Sequence, residues 1–363
     1  MGHTPIHIAI DARLASTDHT GDSAYWRGLL HGLGQCPTSD LRVVLYSNSD
    51  RPRGVPESLE WCRIEARSGR WWSLVAFPLH ARRAGARVLH TQYNLSPLAG
   101  RGGVTTVHDV SFMIGPEWFQ PRDRTLLTLG VGSSVRRAAR VITVSETSRG
   151  EIERFFPAAR GKVVVTPNAL RPDFQGRDAA AARQRVADRF GLTAPFLLTA
   201  ATQWPRKNLT LAIEAARRLP DALPHRLVLV GKSGWGTLPE HPRVMRTGWV
   251  DDLTLEDLYA AADMVLVPSH HEGFGIPVLE GWASRTPVMV SPGGALPEVA
   301  GDAALVAPDF EPETWARLIT EALANPGRLE GLRTLGAQRL GQFSWITTAE
   351  RTQEAYRAAA ASL

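Results

Sequence analysis

Short apolar runs alternate with longer amphipathic segments along the first half of the chain. The runs are rich in valine, isoleucine and leucine, whereas the segments between them carry apolar residues every three to four positions, as a helix with one buried face does. Strands that are apolar throughout are typical of parallel sheets, because crossover helices cover both faces of the sheet. The runs lie at 6–10, 41–46, 87–90, 104–107, 141–144 and 163–165.

The same alternation starts again after residue 190, with runs at 195–199, 227–230, 244–247, 264–267, 288–290 and 304–306. A chain of 363 residues is also long enough for two domains of roughly 150 residues each. We therefore predict an α/β fold of two domains, whose parallel sheets face a central cleft and bind ligands at the carboxyl ends of their strands. The predicted parts are an N-terminal domain (1–170), a polar, alanine-rich linker (171–190), a C-terminal domain (191–342) and a final helical segment (343–363) that could return to the N-terminal domain.

A loop with two glycines follows the fourth apolar run of the second series and leads into a predicted helix. Gly273 and Gly275 allow backbone conformations that side chains would prevent, and Pro277 suits a first helical turn. The backbone amides of Phe274, Gly275 and Ile276 would then point at an anion, assisted by the helix dipole. We expect that anion to be a diphosphate.

Two carboxylates flank this loop, and two cations follow the first strand of the second domain. Glu272 and Glu280 could accept hydrogen bonds from vicinal hydroxyls at different ends of one ligand, such as a ribose and a hexose. Arg206 and Lys207 could neutralise a diphosphate leaving group, and Asn208 could cap the helix that follows them. Taken one at a time, these residues are equally compatible with ordinary solvated loops.

The combined string from Glu272 to Glu280 resembles the E-x7-E motif of glycosyltransferase family four, in its frequent form Glu-Gly-Phe-Gly-(Ile/Leu)-Pro-x-Leu-Glu. The resemblance extends over most of the chain and is strongest from about 195 to 310, where the Arg206-Lys207 string is similar to a second family motif. It implies a GT-B fold of two Rossmann-like domains and a retaining hexosyl transfer, with the nucleotide-sugar donor held mainly by the second domain.

The resemblance also implies a role for each matching residue. Glu280 would hold the ribose hydroxyls, Glu272 would contact the transferred hexose, and the amides after Gly273 would hold the phosphates and the sugar. Arg206 and Lys207 would bind the donor phosphates. As no carboxylate can be assigned as a covalent nucleophile, we expect a front-face reaction in which the leaving phosphate receives the acceptor proton.

Three further residues take roles from the same resemblance. Val250 lies in a segment similar to the one whose backbone meets the nucleotide base. His108 would contact the transferred sugar or support the transition state, beside Asp109 as an orienting partner, although a lone histidine at a strand end is more often structural. Gly21 stands in a turn that approaches the acceptor or the diphosphate in the family. Asp22 and the absence of a second glycine distinguish this turn and indicate an altered acceptor site.

Composition restricts the partners further. The chain has only two cysteines, no Asp-x-Asp triplet and no histidine–cysteine cluster with metal-ligand spacing, so we predict no metal and no cofactor. Its net charge of +5 is dispersed without a nucleic-acid-binding signature, and no apolar run approaches the roughly 18 to 20 residues that cross a bilayer. We expect a cytoplasmic protein. Arginines and aromatic residues between Arg67 and Arg87 could dock at the inner face of the membrane or could bury their aromatic side chains in the first domain.

The sequence thus predicts a hexosyltransferase whose donor is GDP- or UDP-linked, with mannose or glucose as the hexose. The acceptor would be a saccharide, a lipid-linked sugar or a small molecule. Three alternatives stay open at this point: a nucleotide-sugar epimerase of the same architecture, a phosphorylase, and a non-catalytic protein that binds sugar nucleotides.

Overall fold

The computed structural model describes residues 4–17, 21–66 and 68–363. The chain forms two compact units. One comprises the chain up to Pro172 together with Phe343–Leu363, and the other comprises Asp173–Gln342. Each unit contains one parallel sheet, so the α/β alternation predicted from the sequence is confirmed in both halves.

The first unit contains a seven-stranded sheet. Its strands are β1 (Ile6–Asp11), β2 (Leu41–Ser47), β3 (Glu60–Arg63), β4 (Val88–Gln92), β5 (Gly103–Thr106), β6 (Arg140–Thr143) and β7 (Val163–Val165). Its helices are α1 (Gly21–Gln35), α2 (Gly69–Trp71), α3 (Phe77–Arg83), α4 (Ser111–Ile114), α5 (Pro121–Arg137), α6 (Glu146–Phe155) and α14 (Trp345–Ala360). The strand order is β3-β2-β1-β4-β5-β6-β7, with all neighbours parallel.

The order of this sheet reverses between β1 and β4, and that reversal is where an open α/β sheet leaves a crevice for a ligand. Ile8, Ala9 and Ile10 of β1 have no exposed surface, since helices cover both faces of the strand. Strand β3 is absent from the predicted apolar runs because it lies at the edge of the sheet and its residues are half-buried or exposed.

The final helix, α14, packs against α1 within the first unit. Two glycines of α1 make room for it. A Cβ atom on Gly28 would lie 2.0 Å from the Trp345 ring, and one on Gly32 would lie 2.1 Å from the Trp345 carbonyl oxygen. The Trp345 indole also donates a hydrogen bond of 2.7 Å to the carbonyl of Leu170. The helix therefore completes the unit that the chain begins.

The second unit contains a six-stranded sheet in the order β10-β9-β8-β11-β12-β13, again with parallel neighbours. The strands are β8 (Phe196–Ala200), β9 (Arg226–Val230), β10 (Val244–Gly248), β11 (Met264–Val267), β12 (Val288–Val290) and β13 (Leu305–Val306). The helices are α7 (Ala179–Phe190), α8 (Leu209–Arg217), α9 (Asp252–Ala261), α10 (Ile276–Ala283), α11 (Leu296–Ala300), α12 (Pro312–Leu323) and α13 (Pro326–Leu340). Its order reverses between β8 and β11.

Most of the segment that the sequence predicts as a linker, 171–190, is instead helix α7 of the second unit. Ala182 and Val186 are buried on one face of α7, and Arg185 forms an ion pair of 2.6 Å with Asp257 of α9. The periodicity is easily overlooked because the buried face is made mostly of alanine, which contributes little hydrophobic signal.

The aromatic residues between Arg67 and Arg87 divide between the core and the surface, with Arg67 itself outside the described residues. Trp72 and Phe77 are buried and stack with ring centroids 5.1 Å apart, whereas 53% of Trp71 is exposed. Much of this aromatic surface therefore stabilises the first unit, and membrane contact stays a prediction. Within the described ranges, no helix has the length and apolar character needed to cross a membrane.

Candidate functional site

Two loops of the second unit meet at the point where its strand order reverses. One follows β8 and forms a tight turn at Pro205–Lys207, and the other follows β11 and leads to α10. Because β8 and β11 are neighbours, both loops leave the same carboxyl edge of the sheet. The amide of His270 donates a hydrogen bond of 2.8 Å to the carbonyl of Arg206 and joins the two loops.

The side chains of these loops form a charged cluster around Glu272. Lys207 Nζ lies 2.6 Å from Glu272 Oε1, and Arg206 Nη1 lies 2.9 Å from Glu272 Oε2. Ser269 donates a further hydrogen bond of 2.6 Å to Oε1. The three charged side chains are only 9 to 17% exposed, so this cluster is largely shielded from water.

The charges around Glu272 determine its ionisation. Burial alone would raise the pKa of this carboxyl, but the charges of Lys207 and Arg206, with hydrogen bonds from Lys207 and Ser269, outweigh burial and lower the pKa to about 2. Glu272 is therefore a carboxylate at neutral pH. It holds both cations in fixed positions, which reduces the conformational entropy that they would lose on binding an anion.

A third loop, which follows β12, supports the backbone of Glu272. Gly294 forms a bridge with Glu272, and the amide of Ala295 donates a hydrogen bond of 2.8 Å to the Glu272 carbonyl. A Cβ atom on Gly294 would lie 2.3 Å from that carbonyl oxygen, and one on Gly293 would lie 2.3 Å from the His270 carbonyl oxygen. Only glycines allow this close approach, and the Gly-Gly pair after β12 is the signal of it in the sequence.

Helix α10 begins directly beside the charged cluster. Its first residue is Ile276, one earlier than Pro277, and it ends at Ala283. Gly275 precedes it with a φ of 106°, in the left-handed region that favours glycine. The residues before it, Gly273 and Phe274, are buried. Because a helix leaves its first amides without intrahelical partners, this end of α10 is suited to an anion.

Glu280 lies one turn into α10 and is 6% exposed. The hydroxyl of Tyr259, a buried residue of α9, donates a hydrogen bond of 2.7 Å to Glu280 Oε2 and fixes the carboxylate. Val250 lies in the loop after β10, 7% exposed, at the same carboxyl edge but two strands from β8. Neither Tyr259 nor Ser269 was identified from the sequence, since nothing in the spacing of α9 distinguishes Tyr259 from an ordinary core residue.

The helix-capping role predicted for Asn208 is wrong. Asn208 occupies the position before α8, but its side chain makes no capping hydrogen bond. Its backbone lies in the left-handed region, with φ of 48° and ψ of 44°. Asparagine tolerates this conformation better than most residues, so Asn208 shapes the turn that presents Arg206 and Lys207 rather than capping the helix.

The predicted residues of the first unit form a separate group. His108 lies after β5, with 12% of its side chain exposed, and its ring packs edge-on against Tyr25 and Tyr93 at centroid distances of 4.6 and 5.8 Å. Burial lowers the pKa of His108 although Asp22 and Asp109 oppose the shift, so the imidazole is neutral at pH 7. Its Nε2 atom is buried, has no hydrogen-bond partner among the described residues, and lies 3.7 Å from Asp22 Oδ1.

The neighbours of His108 take simpler roles. Asp109 accepts a hydrogen bond of 2.9 Å from the Ser111 amide and so orients the backbone that follows His108. Gly21 is exposed at the start of α1, where a Cβ atom would meet nothing within 4 Å. The structure thus brings together Arg206, Lys207 and Glu272, with Gly273–Glu280 beside them, and groups His108 with Asp22 in the other unit.

The described part of the chain contains no group of three or more histidine, cysteine, aspartate or glutamate side chains that could hold a metal ion. The site of the second unit is instead built from two cations, two fixed carboxylates and the amino end of a helix. Such a set can bind an extended ligand that carries both phosphates and vicinal hydroxyls.

Comparisons with known proteins agree with this description. The family described as "Glycosyltransferase Family 4" matches residues 11–174, and the family described as "Glycosyl transferases group 1" matches residues 194–325. The O-antigen chain mannosyltransferase B of Escherichia coli is 34% identical over 269 residues, which cover 70% of each chain.

Solved structures resemble the chain over nearly its whole length. The sucrose-phosphate synthase of Thermosynechococcus elongatus has a TM-score of 0.74 at 20% identity, with 98% of each chain covered. The Anabaena protein Alr3699/HepE, solved in complex with UDP-glucose, has a TM-score of 0.68 at 16% identity, with 96% of this chain and 98% of that chain covered.

Proposed function

This chain belongs to glycosyltransferase family 4 and has the GT-B fold of two Rossmann-like domains, and from that premise we propose that it transfers a hexose from a nucleotide-diphosphate sugar to an acceptor hydroxyl with retention at the anomeric carbon and without a metal ion. The resemblance recognised in the sequence is confirmed by the two family matches and by the E. coli relative. The sugar, the base, the stereochemistry and the metal independence belong to the proposal.

The observation that carries the proposal is the contact of Glu272 with both Arg206 and Lys207 beside the start of α10. Two cations and one carboxylate leave a net charge of +1, to which the helix adds its partial positive charge. A diphosphate supplies the complementary negative charge. A donor whose phosphates lie against this cluster would place its ribose towards Glu280, whose carboxylate Tyr259 already orients.

The proposed reaction needs no covalent intermediate with the protein. The bond between the anomeric carbon and the diphosphate oxygen breaks, and its electron pair stays with that oxygen. The acceptor hydroxyl forms its new bond on the same face of the sugar and passes its proton to the departing phosphate. Arg206 and Lys207 stabilise the negative charge that develops on the leaving group, which is the largest contribution that such a site makes.

Mannose and glucose are both candidates for the transferred hexose. The E. coli relative is named a mannosyltransferase, and the Anabaena structure contains UDP-glucose. The two sugars differ at one hydroxyl. Accordingly, GDP-mannose and UDP-glucose are the first two donors to test.

A thermal-shift panel tests the donor with the full-length chain. UDP, GDP, UDP-glucose and GDP-mannose are each added at saturating concentration with EDTA present, and stabilisation follows from mass action. We expect one nucleotide and its sugar to raise the melting temperature, and Glu280→Ala to abolish that rise. A requirement for divalent metal in the wild type would contradict metal independence.

Nuclear magnetic resonance of the product tests the chemistry. We expect the new glycosidic bond to have the anomeric configuration of the donor, and donor alone to be hydrolysed slowly. An inverted product would overturn the front-face route. Interconversion of the donor without acceptor would identify an epimerase, dependence on inorganic phosphate a phosphorylase, and binding without turnover a non-catalytic protein.

A further inference from the structure

The first unit has a pocket of its own at the carboxyl edge of its sheet, with a volume of about 340 Å³. This volume lies in the range of roughly 300 to 1,000 Å³ that small-molecule sites occupy. The pocket lies where the strand order reverses, since Asp11 ends β1 and Gln92 ends β4. The described residues that line it are Asp11, Arg13, Leu14, Thr17, Asn48 and Gln92.

The two charged residues of the lining neutralise each other. Arg13 Nε donates to Asp11 Oδ1 at 2.9 Å, and Arg13 Nη2 donates to Asp11 Oδ2 at 2.7 Å. This is the bidentate geometry in which arginine binds carboxylates most strongly. The described lining therefore carries no net charge, although the whole chain carries +5.

Arg13 is also held in place by residues behind the pocket. Its guanidinium donates to the Gly69 carbonyl at 3.0 Å and to the Ser73 hydroxyl at 2.6 Å, and it stacks over the Trp72 ring at 4.1 Å. A phosphate would have to compete with Asp11 and with these three contacts for the same cation. The pocket is therefore poorly suited to an anion.

Gln92 contributes a donor that its surroundings do not satisfy. Its Oε1 atom accepts a hydrogen bond of 2.6 Å from the indole of Trp26, and this contact fixes which way the amide points. Its Nε2 atom is buried and has no acceptor within the described part of the chain. A buried donor without a partner is unfavourable, and the oxygen of a ligand hydroxyl would satisfy it.

Asn48 adds an adaptable group at the mouth of the pocket. It follows β2, is exposed, and its side chain makes no hydrogen bond to any residue that the structure describes. With Gln92 and Asp11 it provides amide donors and oxygen acceptors from three adjacent strand ends. Hydroxyl groups, which both donate and accept, match such a mixed set.

We propose that this pocket binds the acceptor and selects a neutral, hydroxyl-rich saccharide or polyol over a phosphorylated one. The identification of this ligand as the acceptor rests on the proposed function, whereas the ligand class follows from the pocket itself. Asp11, Asn48 and Gln92 contact the hydroxyls, and the Asp11–Arg13 ion pair leaves the described lining without net charge.

Saturation-transfer NMR titrations of the full-length chain test this ligand class directly. The neutral probes are methyl α-mannopyranoside, methyl α-glucopyranoside and myo-inositol, and the charged probes are mannose 6-phosphate, glucose 6-phosphate and myo-inositol 1-phosphate. We expect at least one neutral probe to bind about 10-fold more tightly than its phosphorylated counterpart. Failure of all neutral probes to bind, or tighter binding of a phosphorylated probe, would overturn the proposal.

Two variants locate the binding. Asn48→Ala changes an exposed side chain, and Gln92→Glu keeps the oxygen that Trp26 needs while replacing the buried donor by a carboxylate. We expect each variant to raise the dissociation constant of the neutral probe about 5- to 20-fold, which corresponds to the loss of one hydrogen bond. Gln35→Glu makes the same change at the far end of α1, near the amino edge of the sheet, and should bind like the wild type.

Equal binding by Gln35→Glu and both pocket variants would place the saccharide elsewhere and refute the assignment. Release of nucleotide from the donor by the wild type is followed separately and tests the proposed function. A chain that binds neutral saccharides here but never consumes a nucleotide sugar would refute transfer and uphold the selectivity of the pocket. A chain that consumes the donor but binds phosphorylated probes more tightly would uphold transfer and refute the selectivity of the pocket.

Discussion

Lys207 Nζ lies 2.6 Å from Glu272 Oε1 in a cluster that also includes Arg206 and is largely closed to water. The two residues come from loops on either side of the strand-order reversal of the second sheet. Their contact gives the site a fixed arrangement of charge before any ligand binds. Removal of either charge should therefore affect stability and turnover differently.

Glu272→Gln should lower the free energy of unfolding by about 3 to 5 kcal/mol at pH 7, because it leaves two largely buried cations without a counter-charge. Urea unfolding measures this loss. The control is Glu214→Gln, which breaks two exposed ion pairs of 2.7 and 2.6 Å with Arg217 and Arg218 and should cost less than about 1 kcal/mol. Equal losses in both variants would contradict the shielded character of the Glu272 cluster.

The free energy of unfolding of the wild type should also fall in acid, and Glu272→Gln should lack the part of this fall that comes from protonation of Glu272. The pKa of this carboxyl is lowered from 4.5 to about 2 in the folded chain, so the unfolded chain takes up the proton first as the pH falls. The stabilisation is complete above about pH 4.5 and is lost towards pH 2, by about 3 kcal/mol in total. Parallel melting curves of both proteins between pH 5 and 2.5 measure the difference. If stability falls with pH equally steeply in both proteins, Glu272 is not paired with Arg206 and Lys207 in the folded chain.

The sequence predicted the parts of the site that follow from strand ends. Arg206, Lys207 and Glu272 each lie in the loop that follows an apolar run, and parallel topology brings such loops to one edge of a sheet. The sequence did not predict that Glu272 would bind both cations, since the motif assigns the carboxylate and the basic pair to different parts of the donor. Such contacts depend on side-chain geometry, which spacing alone does not determine.

Supporting residues were harder to identify. Tyr259 looks like any buried aromatic residue of an amphipathic helix until its hydroxyl is seen 2.7 Å from Glu280. The pocket of the first unit depends on Gln92, the last residue of β4, and on Asn48, which follows β2, and neither differs in the sequence from an ordinary polar residue. The sequence predicts a linker where α7 lies, because the buried face of this helix is made of small side chains. In each case the missing information is a tertiary contact rather than a local pattern.

Lys207→Ala should lower kcat by about 100- to 1,000-fold, because it removes one of two charges that stabilise the leaving diphosphate. The Michaelis constant of the donor should change less, since Arg206 and the start of α10 stay in place. Steady-state assays of nucleotide release measure both constants. Lys162→Ala removes a lysine of the first unit that bonds only a backbone carbonyl in the described structure, and it should retain wild-type turnover. Unchanged kcat in Lys207→Ala would refute its role.

Tyr259→Phe should weaken the binding of the donor by about 3- to 10-fold without a comparable change in kcat, because Glu280 loses the hydrogen bond that orients its carboxylate. Calorimetric titration with the nucleotide identified by the thermal-shift panel measures the affinity. Tyr356→Phe removes the hydroxyl of another fully buried tyrosine, 2.7 Å from His90 in the first unit, and controls for the general cost of the change. Similar nucleotide affinities in both variants would show that the Tyr259 contact is only structural.

Gly294→Ala tests the backbone support of Glu272. Gly294 has a φ of 62°, and an added Cβ would lie 2.3 Å from the Glu272 carbonyl oxygen. Gly191 is a close control, because its φ is 64° and its Cβ would meet nothing within 4 Å. Gly191→Ala therefore measures the conformational cost alone, about 1 kcal/mol.

Because a methyl group so close to a backbone oxygen forces the loop to move, Gly294→Ala should cost at least about 2 kcal/mol more than Gly191→Ala in urea unfolding. The displaced Glu272 should also lose its hold on Lys207 and Arg206. We therefore expect Gly294→Ala to lower turnover by about 10-fold or more, and Gly191→Ala to leave it unchanged. If Gly294→Ala matches the control in both stability and turnover, the loop after β12 does not position the charged cluster.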